Sequence, residues 1–236
     1  MTANNDDTDK RWYGRRQGKP LRATRRRLLE ELLPKIRIDP QPDQIPPDLS
    51  RLFASPVREV WLEIGFGGGE HLAAQAEKNP DIGFIGCEPF INGVASLLKH
   101  IEEKSLTNIR VYDDDVRHLL SLMADQSFGR IYILFPDPWP KTPHHRRRIV
   151  KQETLVDYAR LLKDGGELRF ASDHQGYVTW ALWHLLQNPD LHWLARSPRD
   201  WRVAPDDWEE TRYEMKAKAR GDLPVYLPFQ RIARKG

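Results

Sequence analysis

The stretch ILFPDPWPKTPHHRRR, Ile133 to Arg148, stops an apolar run at one carboxylate, Asp137, held between Pro136 and Pro138. Trp139 follows, then Lys141, His144, His145, Arg146, Arg147 and Arg148, with no acid among them. A fixed carboxylate at the rim of a core stabilises positive charge that forms or arrives there. A basic cluster just beyond it suits a polyanion. Four further acids, Glu63, Glu88, Asp115 and Asp173, also stand at the ends of apolar runs. Each alone is an ordinary loop acid or helix cap. Five at corresponding places point to one shared cleft.

Periodicity supplies the elements that would bring these acids together. VREVWLEIG reads as a buried strand, FGGGEHLAAQAEKNP as a turn and helix, and DIGFIGCEP as a second strand. A helix through INGVASLLKHIEEKSL leads to a third strand, NIRVYDDD, and a short helix from Val116 to Met123. GRIYILFPD is the fourth strand. Lys151 to Leu162 reads as a helix closed by Gly165-Gly166, before a fifth strand, GELRFASD. A helix from Tyr177 to Gln187 and two late strand candidates, LHWLARS and VYLPFQRIA, complete the pattern. Strands alternating with helices predict an α/β fold, a parallel sheet with helices on both faces. Ligands of such sheets bind beyond the carboxyl ends of the strands, where the acids stand.

The N-terminal part reads differently. Residues 1 to about 20 lack apolar periodicity, as a flexible arm does. Leu28, Leu29, Leu32 and Leu33 predict a short helix ending near Pro34, and proline-rich Asp39 to Asp48 reads as a linker. The expected division is a basic, partly flexible arm and linker over 1–50 and the main domain over 51–236.

Gly65, Gly67 and Gly69 follow the first core strand and open a helix. Glycines let the backbone turn sharply and approach a ligand. A dinucleotide fingerprint needs a glycine where this chain has Glu70. An acid there also suits a pyrophosphate poorly. A cofactor without phosphate and carrying a sulfonium cation, S-adenosylmethionine, tolerates nearby acids. Glu88, about 20 residues past the turn, stands where a carboxylate accepts from ribose hydroxyls. Asp115 ends the third strand, where the adenine should lie.

Composition narrows the class. The net charge of +3 over 236 residues is modest. Local charge says more: nine Lys or Arg and no acid from Lys10 to Arg27, and five more from Lys141 to Lys151. Cys87 is the only cysteine, so an intrachain disulfide and a thiolate zinc site are not expected. His144 and His145 lack partners suggesting a metal site. A polar, acidic N-terminus and no stretch of membrane-spanning length lead to the expectation of a cytoplasmic protein without membrane contact.

In chain order, YGRRQGKP, LEIGFGGGEH, FIGCEPF, PDPWPK with its basic tail, ASD and TRYEMKAKARG resemble the bacterial tRNA (guanine-N7-)-methyltransferases. The resemblance covers nearly the whole chain. It implies a Rossmann-like class I S-adenosylmethionine-dependent methyltransferase fold, with a mostly parallel seven-stranded sheet. It implies that Glu63, Glu88, Asp115 and Asp137 contact S-adenosylmethionine or the reacting site, beside the turn of Gly65, Gly67 and Gly69. Lys141, Asp173, Thr211 and Glu214, with Arg212 and Tyr213 between the last two, would contact substrate. His144, His145, Arg146, Arg147 and Arg148, with Arg15 and Arg16 of the arm, would meet RNA. The family usually has arginine where this chain has Pro143. The tRNA and its variable loop are implied by the resemblance alone, and no obligate protein partner is evident from the sequence. Monomer and homodimer both remain open.

Guanine N7 is a lone-pair acceptor on the major-groove edge of the base. It carries no proton, so its methylation needs no base to remove one. Position and electrostatics are what remain to be supplied. Asp137 is the expected residue for both, placing the base and stabilising the forming cation. Glu214 could accept from guanine N1 and amino protons, or simply pair with Lys218 four residues on. Trp139 could stack on an extruded base or fill the core beneath the loop. Two rival readings are an NAD-linked oxidoreductase, which Glu70 disfavours, and a non-catalytic RNA-binding protein, which the acids at successive strand ends disfavour.

Overall fold

The computed structural model of the chain describes residues 14–235. It begins with α1 (Ala23–Glu31) and α2 (Leu33–Ile36), followed by a 3-10 turn at Leu49–Leu52. Pro34, expected to end the first helix, sits instead in the first turn of α2, where its missing N–H costs no hydrogen bond. Ile45, inside the stretch expected to be a linker, is buried in the core beside Leu49 and Phe53.

The α/β pattern then runs β1 (Glu59–Ile64), α3 (Glu70–Lys78), β2 (Ile82–Cys87), α4 (Ile91–Lys104), β3 (Ile109–Tyr112), α5 (Arg117–Leu120) and β4 (Phe128–Leu134). A 3-10 segment, Thr142–Arg147, precedes α6 (Gln152–Leu161), β5 (Leu162–Ser172), α7 (Gln175–Gln187) and β6 (Leu191–Trp193). The chain closes with α8 (Arg199–Arg202), α9 (Arg212–Ala219) and β7 (Val225–Arg231). No helix among the described residues is long and apolar enough to cross a membrane.

Among the described residues the strands form one seven-stranded sheet in the order β3-β2-β1-β4-β5-β7-β6. β1 to β5 pair in parallel, and β7 runs antiparallel between β5 and β6. The winding reverses between β1 and β4, so a crevice opens at their carboxyl ends. Alternation along β1 splits the core in two. Val60, Leu62 and Ile64 share one cluster with residues of α5, α6 and α7. Trp61 joins the other, with Leu28 of α1, Leu72 of α3 and Leu97 of α4.

Two sequence expectations shift here. Gly165 and Gly166 do not close α6, because β5 starts directly at Leu162 and Gly165 lies inside it at φ 77°. Pairing with β4 jumps from Phe128↔Leu162 to Arg130↔Glu167, and the glycines take up the extra chain as an irregularity in the ladder. The sixth strand is only three residues long, because the chain leaves the sheet after Trp193.

Candidate active site

A cleft of 380 Å³ opens where the sheet winding reverses. Its floor is Ile64 and Gly65 from β1, Cys87 and Glu88 from β2, and the Phe135–Asp137 corner after β4. Asp114, Asp115 and Arg117 line one flank, and Trp139, Arg147 and Tyr213 another. A volume of this order is typical of small-molecule sites.

Glu88 is the best-defined acid. Its Oε2 accepts from the Gly67 N–H and its Oε1 from the Phe90 N–H, both at 2.9 Å. Burial raises its pKa to about 7 in spite of those two donors. Gly67 sits at φ 57°, and a Cβ there would come 3.0 Å from the Tyr213 ring. The glycine therefore lets α9 lay Tyr213 over the turn. Tyr213 is in turn held above its usual pKa, first by burial and then by the charges of Glu88 and Asp137.

Asp137 sits at the strained corner. Phe135 and Trp139, each followed by proline, adopt φ of 48° and 42°. Left-handed backbone is unfavourable for bulky residues, and two such positions around one carboxylate mark a built site. Asp137 touches solvent through the cleft, yet surrounding protein raises its pKa by desolvation. Among the described residues it has no ion-pair partner, whereas Asp115 receives the Arg117 guanidinium through two bonds of 3.0 and 2.6 Å.

The structure redirects several expected residues. Glu63 does not line the cleft. Strand alternation turns it to the face opposite Ile64, where its Oε2 lies 2.7 Å from His71 Nδ1 and both side chains are buried. Gly69 is also outside the lining. At φ 79° it caps α3, and any Cβ would strike Leu97 of α4 at 2.7 Å, so close packing of α3 on α4 requires glycine there. Glu214 is fully buried and accepts from Trp208 Nε1 and Tyr226 OH, each at 2.6 Å, and from Lys218 Nζ at 2.7 Å. Its oxygens are occupied within the protein, so reading a guanine with it would require breaking these bonds. Thr211 caps α9, its Oγ1 accepting from the Glu214 N–H at 3.0 Å. Thr-x-x-Glu is a helix-start signature, which the sequence already carried. Asp173 pairs with Arg220 at 2.8 Å and lies outside the cleft, as do Lys141 and Arg212, which are exposed.

The basic residues divide as well. Arg148 is 3% exposed, donates from Nε to the Pro138 carbonyl, and lies over the rings of Tyr177 and Trp180. It braces the corner instead of meeting a phosphate. Arg147 lies over Trp139 at the cleft wall. His144 packs edge-on to Trp139 and His145 to Trp180, while Arg146 is exposed. Gly14 and Arg15 line the cleft, and Arg16 bonds Asp114 at 2.8 Å. The arm is tied down by Ile91 N–H to the Arg16 carbonyl and by two bonds through Asn92 to Gly18 and Lys19. Arg15 and Arg16, expected on RNA, thus stand at the cleft. The signal for Asp114 was the unassigned middle acid of Asp113-Asp114-Asp115. Nothing in the sequence marked Asn92.

The segment carrying Tyr213 hangs from the sheet. Asp207 accepts from Arg130 at 2.9 Å and Arg169 at 2.6 Å, and its carbonyl accepts from Gln75. Trp208, one residue on, packs on His71 and Tyr226.

Residues 57–225 match a family model described as a putative methyltransferase. The chain is 50% identical over 237 residues to the tRNA (guanine-N(7)-)-methyltransferase of Rhodospirillum rubrum, spanning 96% of this chain and 89% of that one. It is 51% identical over 227 residues to the enzyme of that name from Paramagnetospirillum magneticum, spanning 95% and 94%. Among solved structures, an antibiotic-related methyltransferase superposes with a TM-score of 0.55 at 16% identity, over 86% of this chain and 99% of that one. The 16S rRNA methyltransferase KamB superposes with a TM-score of 0.53 at 16% identity, over 78% and 93%. These two show the Rossmann-like methyltransferase fold expected from the sequence, and the sequence relatives carry the family. With two such relatives matched over nearly its whole length, this chain belongs to the tRNA (guanine-N(7)-)-methyltransferase family.

Proposed function

We infer that this chain transfers a methyl group from S-adenosylmethionine to N7 of a guanine in tRNA, the guanine lying in the variable loop. The observation that carries the chemistry is the pairing, in one cleft at the sheet's reversal, of a buried acid, Glu88, with Asp137, which has no ion-pair partner among the described residues. S-adenosylmethionine supplies an activated methyl group on a sulfonium. The chain's own residues fit such a group: the cleft is the right size, glycine backbone approaches it at Gly65 and Gly67, and its acids favour a cation. Glu88, fixed by two backbone donors, keeps lone pairs for ribose hydroxyls, and Asp115 stands on the adenine side, its position set by Arg117.

Transfer shifts positive charge from sulfur to the purine ring. Asp137, rigidly held between prolines, favours that shift without taking a proton. Tyr213 and Trp139 on the cleft wall present aromatic faces to a base. Exposed Arg146 and Lys141 supply charge beside the mouth for the RNA backbone. The test is incubation with unmodified tRNA and labelled S-adenosylmethionine, then nucleoside analysis. Label in 7-methylguanosine is expected. Label in another nucleoside, or none, would overturn the assignment.

A further inference from the structure

The segment that carries Tyr213 is held by polar bonds more than by apolar burial. Glu214 and Ala217 are the buried residues of α9, yet the helix lays the Tyr213 ring directly against Gly67. The hold begins at Asp207. Its Oδ2 accepts from Arg130 Nη1 at 2.9 Å and its Oδ1 from Arg169 Nη1 at 2.6 Å. The two guanidinium groups stand on adjacent strands, β4 and β5, and are only 14% and 11% exposed. They share one other acid, Glu167, at 3.4 and 2.7 Å. Two partly dry cations thus face two carboxylates, and one of those comes from the loop. The hold then passes along a short path. The Asp207 carbonyl accepts from Gln75 Nε2 at 2.7 Å. Trp208 packs on His71 and Tyr226 and donates from Nε1 to Glu214 Oε2 at 2.6 Å. Glu214 directly follows Tyr213.

We propose that Asp207 is a positioning residue for methyl transfer: its fork to Arg130 and Arg169 seats the loop that sets Tyr213 beside the reacting base. Asp207 does not line the cleft, whereas Tyr213 does, so Asp207 acts through Tyr213. One guanidinium on each carboxylate oxygen gives the loop a single directional seat. Without that carboxylate the two arginines would crowd on Glu167, and the loop would lose its tie to the sheet. A cleft wall displaced by about 1 Å costs rate, because the base no longer meets the methyl group in line. RNA affinity rests mainly on phosphate contacts elsewhere, so the loss falls on the transfer step. The role rests on the tRNA reading above, and the activity of the wild type separates the two.

The test is a double-mutant cycle on the full chain: wild type, Asp207→Ala, Tyr213→Ala and the double variant. The readout is the single-turnover rate of methyl transfer to unmodified tRNA with enzyme in excess, which a merely smaller folded fraction does not change. The Kd for S-adenosylmethionine is measured alongside by calorimetry. Asp207→Ala is expected to lower the rate about ten- to a hundredfold. In the Tyr213→Ala background the same change should cost less than about twofold, because the group it positions is already gone. The cofactor Kd of Asp207→Ala should stay within about twofold of wild type, since the backbone donors to Glu88 do not depend on Asp207. Should Asp207→Ala fail to fold, the isosteric Asp207→Asn carries the same comparison. Losses that multiply across the cycle overturn the proposal, as does an unchanged rate in the single Asp207 variant. A rise in cofactor Kd as large as the fall in rate overturns it too, because the loop would then serve the cofactor and not the base. No methyl transfer by the wild type overturns the function and this role with it. Transfer with multiplying losses overturns the role alone.

Discussion

Glu88 sets how the cleft responds to pH. Its carboxyl has an ordinary value of 4.5 and is held up to about 7 by burial. That difference of roughly 2.5 units corresponds to about 3 kcal/mol for ionising it in the folded state. A carboxyl whose folded pKa is raised stabilises the fold most below its unfolded value. That contribution fades as pH rises from 4.5 toward 7. Binding of a cationic cofactor with two ribose hydroxyls wants the opposite, an ionised Glu88. The Kd for S-adenosylmethionine should therefore fall about tenfold per pH unit below 7 and level off above it, close to thirtyfold between pH 5.5 and 8. Binding at pH 7 should release roughly half a proton, visible by calorimetry in buffers of different ionisation enthalpy. Asp137 is shifted in the same direction, so Asp137→Asn isolates the Glu88 step. Glu88→Gln should flatten the profile while weakening binding at pH 8. A wild-type Kd that stays flat from pH 5.5 to 8, on folded protein, would refute the link between this acid's burial and cofactor capture.

Three further outcomes follow from the geometry. Asp137→Asn should lower turnover on the order of 10²-fold with tRNA affinity retained, read by single-turnover kinetics. Arg16→Ala breaks a partly exposed pair with Asp114 and should weaken S-adenosylmethionine binding by only about two- to fivefold, read by calorimetry. Glu214→Ala strands the Trp208 N–H and the Tyr226 hydroxyl, while Lys218 keeps Glu210. It should cost about 3 kcal/mol or more, seen as a Tm drop of roughly 6 °C or more, and an unchanged Tm would deny Glu214 its anchoring role.

The parallel sheet was legible because buried strands such as IGFIGC and IYIL leave uninterrupted apolar runs. That Glu88, Asp115 and Asp137 share one cleft was legible because strand ends in such a sheet converge. That Glu63 lies outside the cleft lining was not legible, because proximity along the chain does not say which face a strand residue takes, and Ile64 holds the cleft side. For Thr211 and Glu214 the sequence left the alternatives open, because a helix cap and a ligand contact use the same residue types. The burial of Arg148 was not legible, because charge alone does not reveal that Pro138, Tyr177 and Trp180 enclose it. The hanging of α9 from Asp207 depends on residues of β4, β5 and α3 meeting one loop, and no local pattern carries that information.

The inward use of basic residues changes how many ions the protein should shed when it takes up RNA. The two basic blocks hold fourteen Lys and Arg. Arg16 and Arg27 are committed to acids of the fold, and Arg148 and Lys151 are buried. A residue neutralised within the protein displaces no counterion from a phosphate. Counting charges along the chain thus overstates the slope of log affinity against log salt by close to one for each of these four. Binding should withstand physiological ionic strength better than the raw composition suggests.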